Sequence, residues 1–163
     1  MKRIYTVLLC MAMAVSMFGC AANKTTTDDS SNGTETTITA PAENVAMQYI
    51  TPEEASALLE DENYVFFDVR KAADYATAHV PGALGYDMDA AKEGDFDAGV
   101  ATMQKAVEGV DENIILVCYS GKRHAQAATN VLSAMGHDMS KVYTLEGGFT
   151  AWSETYPENV TAE

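Results

Sequence analysis

The run Ile114-Ile115-Leu116-Val117 carries four large apolar side chains with no polar residue among them, and it leads directly into Cys118. A strand with one wet face alternates apolar and polar residues. A run without alternation is buried on both faces, as in a parallel sheet covered by helices. This stretch is therefore the best candidate for a central strand. The flanking sequence agrees. Ala46 to Ile50 and Val142 to Leu145 read as short strands, and Tyr64 to Val69 is a β-branched and aromatic run of the buried kind. Helical stretches lie between them. Thr51-Pro52-Glu53-Glu54 combines a capping threonine, proline at the first helical position and glutamate completing a capping box. That helix is expected to reach about Glu60 and bury Ala55, Leu58 and Leu59. Lys71 to Thr77, Phe96 to Val107, His124 to Met135 (stopped by Gly136) and a segment around Trp152 complete the helices. Asp61-Glu62-Asn63 and Pro81-Gly82 turn the chain. Strands alternating with helices define an α/β domain with a mainly parallel central sheet.

Length and charge narrow the possibilities. The 163 residues allow one ordinary domain plus additional segments, and 46–163 is long enough for a single core. With 24 acidic and 10 basic side chains the formal charge is −14, which argues against nucleic-acid binding, because phosphate needs a basic footprint. Three cysteines without a Cys-x-x-Cys pair exclude a disulfide framework and a zinc ribbon.

Residues 1–19 read as an export signal. Lys2 and Arg3 precede the uncharged, largely apolar stretch Ile4 to Phe18, which is shorter than the roughly 20 residues of a spanning helix. The exit, Met17-Phe18-Gly19-Cys20, resembles a bacterial lipobox at Gly19 and Cys20 and departs from it at Met17 and Phe18. The reading expects lipid on Cys20 and a protein anchored to the membrane, outside the cytoplasm. Cleavage after Ala21, releasing a soluble secreted protein, is the alternative. Residues 20–45 form a polar tether with seven threonines between Thr25 and Thr39 and almost no large apolar side chains. Loss of residues 1–19 removes Lys2 and Arg3 and brings the formal charge to −16. It also removes Cys10, and lipid on Cys20 would leave Cys118 as the one thiol of the domain.

Chemistry concentrates at the end of the apolar run, since ligands in open α/β sheets bind beyond the carboxyl ends of the strands. Cys118 is followed by Tyr119-Ser120-Gly121-Lys122-Arg123 and then by a helix. The thiol thus lies in a tight loop at a helix N-terminus, where backbone amides and the helix dipole favour an anion. Lys122 and Arg123 add two cations in a chain that has few. All of these favour the thiolate, the nucleophilic form of cysteine.

These residues resemble the active-site loop of the single-domain rhodanese sulfurtransferases, a cysteine with four intervening residues before a closing basic residue. Asp68-Val69-Arg70 with Asp74-Tyr75 and His79-Val80-Pro81-Gly82-Ala83 resembles the family's upstream signature. Leu145-Glu146-Gly147-Gly148-Phe149 with Trp152 resembles its C-terminal one. The resemblance runs from about Gln48 to Pro157. Ala78 stands where the family often has glycine. His124 stands where a small residue is common, and either narrows the pocket or places a titratable donor beside it. The resemblance implies a three-layer rhodanese-like fold and a ping-pong transfer of sulfane sulfur through a Cys118 persulfide. The donor would be anionic, thiosulfate or polysulfide, and the acceptor a thiol or cyanide, a protein thiol included. Tyr119, Ser120, Gly121, Lys122 and Arg123 would bind the donor. No metal or organic cofactor is implied. Asp68 and Arg70 are read as a supporting ion pair, with Arg70 also placed to contact substrate. His79 is read as structural, His137 as solvated, Trp152 and Tyr75 as core residues.

Three other readings share parts of this pattern. Cell-cycle dual-specificity phosphatases use a loop one residue longer, and the four residues between Cys118 and Arg123 disfavour them. A non-catalytic sulfur-binding or interaction module of the same fold is the main alternative. A thiol-redox protein would need a resolving cysteine, which the mature domain lacks.

Overall fold

The computed structural model describes residues 37–162. The expected export segment 1–19, Cys20 and most of the polar tether lie outside the described residues.

Five strands form one sheet in the order β1-β5-β4-β2-β3. They are β1 (Gln48–Ile50), β2 (Tyr64–Asp68), β3 (Leu84–Gly85), β4 (Asn113–Val117) and β5 (Val142–Leu145). Every pairing between these strands is parallel. The apolar run forms β4 and occupies the middle of the sheet. Its side chains alternate between two cores. Ile114, Leu116 and Cys118 join Phe67, Met103 and Leu132 on one face. Ile115 and Val117 join Phe66, Leu145 and Trp152 on the other. The first core is covered by α3 (Asp89–Lys92), α4 (Phe96–Ala106) and α5 (Arg123–Ala134), the second by α1 (Pro52–Ser56) and α6 (Gly148–Thr155). The result is a three-layer α/β fold, with α2 (Ala72–Thr77) in the β2–β3 connection.

The start of α1 follows the sequence closely. Glu54 donates its amide to the Thr51 hydroxyl at 3.2 Å, and Thr51 donates its own to the Glu54 carboxylate at 3.0 Å. The helix stops at Ser56, however, rather than near Glu60. Leu58 donates to the Ala55 carbonyl and Asp61 to that of Leu58, so the chain tightens into turns that set Leu58 and Leu59 against the second core. Two elements escape the sequence pattern altogether: β3 has two residues and α3 four, too few for any periodicity to show.

The N-terminal approach to the domain is attached to α5. Gln126 donates its side-chain amide to the Val45 carbonyl at 2.8 Å, and Val45 donates to the Asn130 side-chain oxygen at 3.0 Å. Asn130 in turn donates to Asn44.

Candidate active site

Cys118 is the first residue beyond β4. It is 1% exposed, and the Lys122 amide donates to its Sγ at 3.3 Å. Helix α5 begins immediately afterwards, and Lys122, its N-cap residue, makes no side-chain capping bond. The first-turn amides of α5 therefore have no side-chain acceptor from the cap, the condition in which a helix N-terminus receives an anion.

The loop is clasped by the turn from β5 into α6. Phe149 donates its amide to the Cys118 carbonyl at 2.7 Å, and Thr150 donates both its amide and its hydroxyl to the Tyr119 carbonyl. Two glycines make the contact possible. Gly148 has φ +61°, and a Cβ there would lie 2.3 Å from the Cys118 carbonyl oxygen and 2.7 Å from the amide nitrogens of Ser120 and Gly121. Gly121 has φ +66°, and its Cβ would lie 2.6 Å from the Leu145 carbonyl oxygen. Any side chain at either position would force backbone apart.

Above the thiol is a cavity of about 250 Å³ lined by Tyr119, Ser120, Lys122, Arg123, His124 and Lys92. Five of the six expected loop residues thus line the cavity with Cys118 among them, and Gly121 acts instead through its backbone. Lys92 was not legible in the sequence, because it arrives on the four-residue α3. Its ammonium is paired with Asp89 at 3.0 Å and with Glu93. Asp89 also meets Lys71 at 3.4 Å and His124 Nε2 at 3.2 Å. The Lys92 hydrogen bond above all, with His124 and Lys71 adding to it against the opposing effect of burial, holds the Asp89 carboxyl at about 2. Burial lowers the His124 pKa, and Asp89 partly opposes this. The histidine is 7% exposed and meets the Tyr119 ring edge-on at 5.1 Å. Its ring forms part of the cavity wall together with Cys118. Tyr119 donates its hydroxyl to Asp74, and burial, then that carboxylate, raises its pKa.

Asp68 and Arg70 stand at the end of the neighbouring strand β2. Arg70 Nη2 is 2.6 Å from Asp68 Oδ2, its Nε donates to the same carboxylate, and it also bonds the Ala78 carbonyl. The guanidinium carbon is 3.9 Å from the Phe149 ring centre and 5.7 Å from that of Tyr119. With Asp68 fully buried and Arg70 4% exposed, the pair underlies the clasp from below. Arg70 does not line the cavity over Cys118, so the structure separates it from the loop residues expected to bind the donor.

The remaining expectations sort cleanly. His79 is buried, stacks on Tyr75 at 4.2 Å and lies with Nδ1 2.9 Å from the Tyr75 carbonyl oxygen. Trp152 is fully buried and donates to the Asn159 carbonyl. Tyr75 is half-buried, and its hydroxyl donates to the Ala83 carbonyl. Ala78 has φ −166°, extended backbone open to any residue, so no glycine is needed there. His137 is not solvated as expected. Burial in the turn after α5 lowers its pKa and leaves Nε2 without a hydrogen-bond partner among the described residues.

A parallel α/β sheet whose central strand delivers a cysteine into a six-residue loop at a helix N-terminus defines a recognisable class. Residues 51–155 match the Rhodanese-like domain, and the chain belongs to that family. It is 33% identical over 116 residues to thiosulfate sulfurtransferase GlpE of Pseudoalteromonas translucida, covering 71% of this chain and 98% of the relative. It is 35% identical over 109 residues to the protein of the same name from Pseudomonas savastanoi pv. phaseolicola, covering 67% and 90%. The crystal structure of a rhodanese-like domain protein from Staphylococcus aureus superposes with a TM-score of 0.55 at 25% identity, covering 72% of this chain and 99% of that one.

Proposed function

We propose that the protein is a sulfurtransferase that carries sulfane sulfur on Cys118. The observation that supports this best is the position of the thiol. It lies at the floor of a cavity with an amide on Sγ and with the exposed cations Lys122 and Arg123 at the rim. Such a cavity attracts an anionic donor and stabilises negative charge on sulfur without reorganising. With thiosulfate, the Cys118 thiolate attacks the outer sulfur. The Sγ–S bond forms, the bond to the sulfonate sulfur breaks, and sulfite departs with the electron pair. The persulfide anion then occupies the place where loop amides and Lys122 and Arg123 concentrate positive potential. An acceptor, cyanide or a thiolate, attacks the outer sulfur, and the electron pair of the broken S–S bond returns to Cys118 as thiolate. Asp68 and Arg70 enter as the support beneath the loop. The loop of four intervening residues separates this reading from phosphate ester chemistry.

Intact mass after treatment with thiosulfate or polysulfide tests the proposal. Wild type gains one sulfur atom and loses it to cyanide or thiol, and Cys118→Ser gains none. Equal uptake by Cys118→Ser, or no uptake by wild type, overturns it, the latter in favour of a non-catalytic module. From the sequence of residues 1–20 we also infer export and a lipid anchor on Cys20. Metabolic labelling with a fatty-acid analogue tests this, with label present in wild type and absent from Cys20→Ala.

A further inference from the structure

A second cavity, of about 380 Å³, lies beside the one over Cys118. One wall is a stripe of α5 at helical spacing: Arg123, Gln126 and Ala127, Asn130 and Val131. The facing wall is Ala91 and Lys92 of α3 with Phe96 of α4, and Met47 and Asn44 of the N-terminal approach close one end. Polar and charged residues share these walls, but apolar atoms form the larger part of the interior surface, with Met47, Ala91, Phe96, Ala127 and Val131 among its lining. Its volume falls within the roughly 300–1,000 Å³ of small-molecule sites. Lys92, Lys122 and Arg123 line both cavities, so the groove adjoins the cavity over the thiol at a cationic boundary. Lys92 is committed to Asp89 and Glu93. Lys122 and Arg123 are exposed and make no ion pair among the described residues.

A purely inorganic cycle, thiosulfate to cyanide, needs only the cavity over Cys118. The groove has no use in it. Its chemistry fits a molecule with one anionic end and an apolar body.

We propose that this groove is the acceptor subsite, taking the carbon skeleton of an organic thiol whose thiolate is held at the Lys122–Arg123 boundary and aimed at the Cys118 persulfide. The proposal rests on the sulfur-transfer reading and names its acceptor class. The thiol gives up its proton to solvent, and its thiolate attacks the outer sulfur of the Cys118 persulfide. The new S–S bond forms, the bond to Cys118 Sγ breaks, and the products are an organic persulfide and the Cys118 thiolate. Met47, Phe96, Ala127 and Val131 receive the apolar body, so chain length is the property the groove measures.

Two experiments on the full chain separate this proposal from the reading beneath it. In the first, hexanesulfonate and methanesulfonate are titrated into wild type by calorimetry. They share an anionic head and differ in apolar length. Hexanesulfonate binds about tenfold tighter or more, since each buried methylene favours the longer chain. Ala127→Leu fills the half-buried wall, and Ala127→Glu places a carboxylate there. Both bring the ratio to within about twofold. A wild-type ratio near one, or a ratio that survives in both variants, overturns the proposal. No sulfur need move for this result to be read. In the second, protein loaded with sulfur is discharged by 2-mercaptoethanol or 6-mercaptohexanol. The longer thiol is faster by a similar factor in wild type, and the advantage disappears in both variants. Equal rates in wild type overturn the acceptor role even where the sulfonate ratio holds. Failure to load Cys118 at all overturns the sulfur-transfer reading, and the acceptor role with it.

Discussion

Strands β2 and β4 lie side by side and in register, Asp68 opposite Val117, and each ends in chemically potent residues. The two ends are treated in opposite ways. Beyond β2, a carboxylate and a guanidinium satisfy each other, with a backbone carbonyl taking a further donor and two aromatic rings covering the cation. Beyond β4, a thiol receives one amide and faces a cavity, while the nearest exposed cations have no ion-pair partner among the described residues. The difference teaches that ionisable residues at a strand end do not by themselves make a reactive site. Room for a ligand is found where the surroundings are left incomplete, and bracing where they are closed. The closed end holds the open one in place, because Phe149, which covers Arg70, also donates to the Cys118 carbonyl.

Replacing the open end with a poorer nucleophile has the largest effect. Cys118→Ser abolishes sulfur loading in the mass measurement while leaving the denaturation midpoint nearly unchanged, because serine conserves the shape of the site. Breaking the closed end does the reverse. Asp68→Ala leaves the Arg70 cation buried and unpaired and costs about 3–5 kcal/mol in urea denaturation. The double variant Asp68→Leu with Arg70→Met restores much of that loss, because no charge is then left without its partner. If the double variant is as unstable as the single one, the pair is more than a brace.

A smaller effect probes the cationic boundary. Lys122→Gln combined with Arg123→Gln raises the KM for thiosulfate about tenfold, and the difference shrinks as ionic strength rises, since exposed charges act at long range and are screened. A loss insensitive to salt would indicate direct contacts instead. The smallest effect is on stability against pH. The native pKa of His124 is lowered from 6.5, so between the two values the unfolded chain binds more protons than the folded one. Its contribution is complete above about pH 6.5 and declines as pH falls from there towards the native value. In His124→Gln the decline is shallower. His137, shifted in the same direction, adds to this decline. Asp89 acts only in strong acid, its contribution being present above 3.8 and lost as pH falls towards about 2.

How far the sequence could be read follows from where each signal is stored. The sheet was legible because β4 and β2 are buried on both faces and show it as unbroken apolar runs. The loop was legible because its six residues are contiguous. The start of α1 was legible because a capping box is local, but its end was not, because the turns after Ser56 obey the second core rather than a residue pattern. Lys92 and Asp89 were missed for a different reason. Lys92 reaches the cavity, and Asp89 pairs with it and with His124, from a four-residue helix lying 26 and 29 positions before Cys118 in the chain, and nothing local marks them. The same applies to Phe96 and Met47, which join the groove only when α4 and the N-terminal approach meet α5.

The clasp on the Cys118 loop also fixes when the site comes into being during synthesis. Cys118 is made first, but its carbonyl is held by Phe149 and that of Tyr119 by Thr150, some thirty residues later. A nascent chain that has passed Cys118 but not Thr150 carries the cysteine on an unfinished loop. The loop around Cys118 is complete only once the last helix is in place, so its geometry is the last part of the domain to be finished.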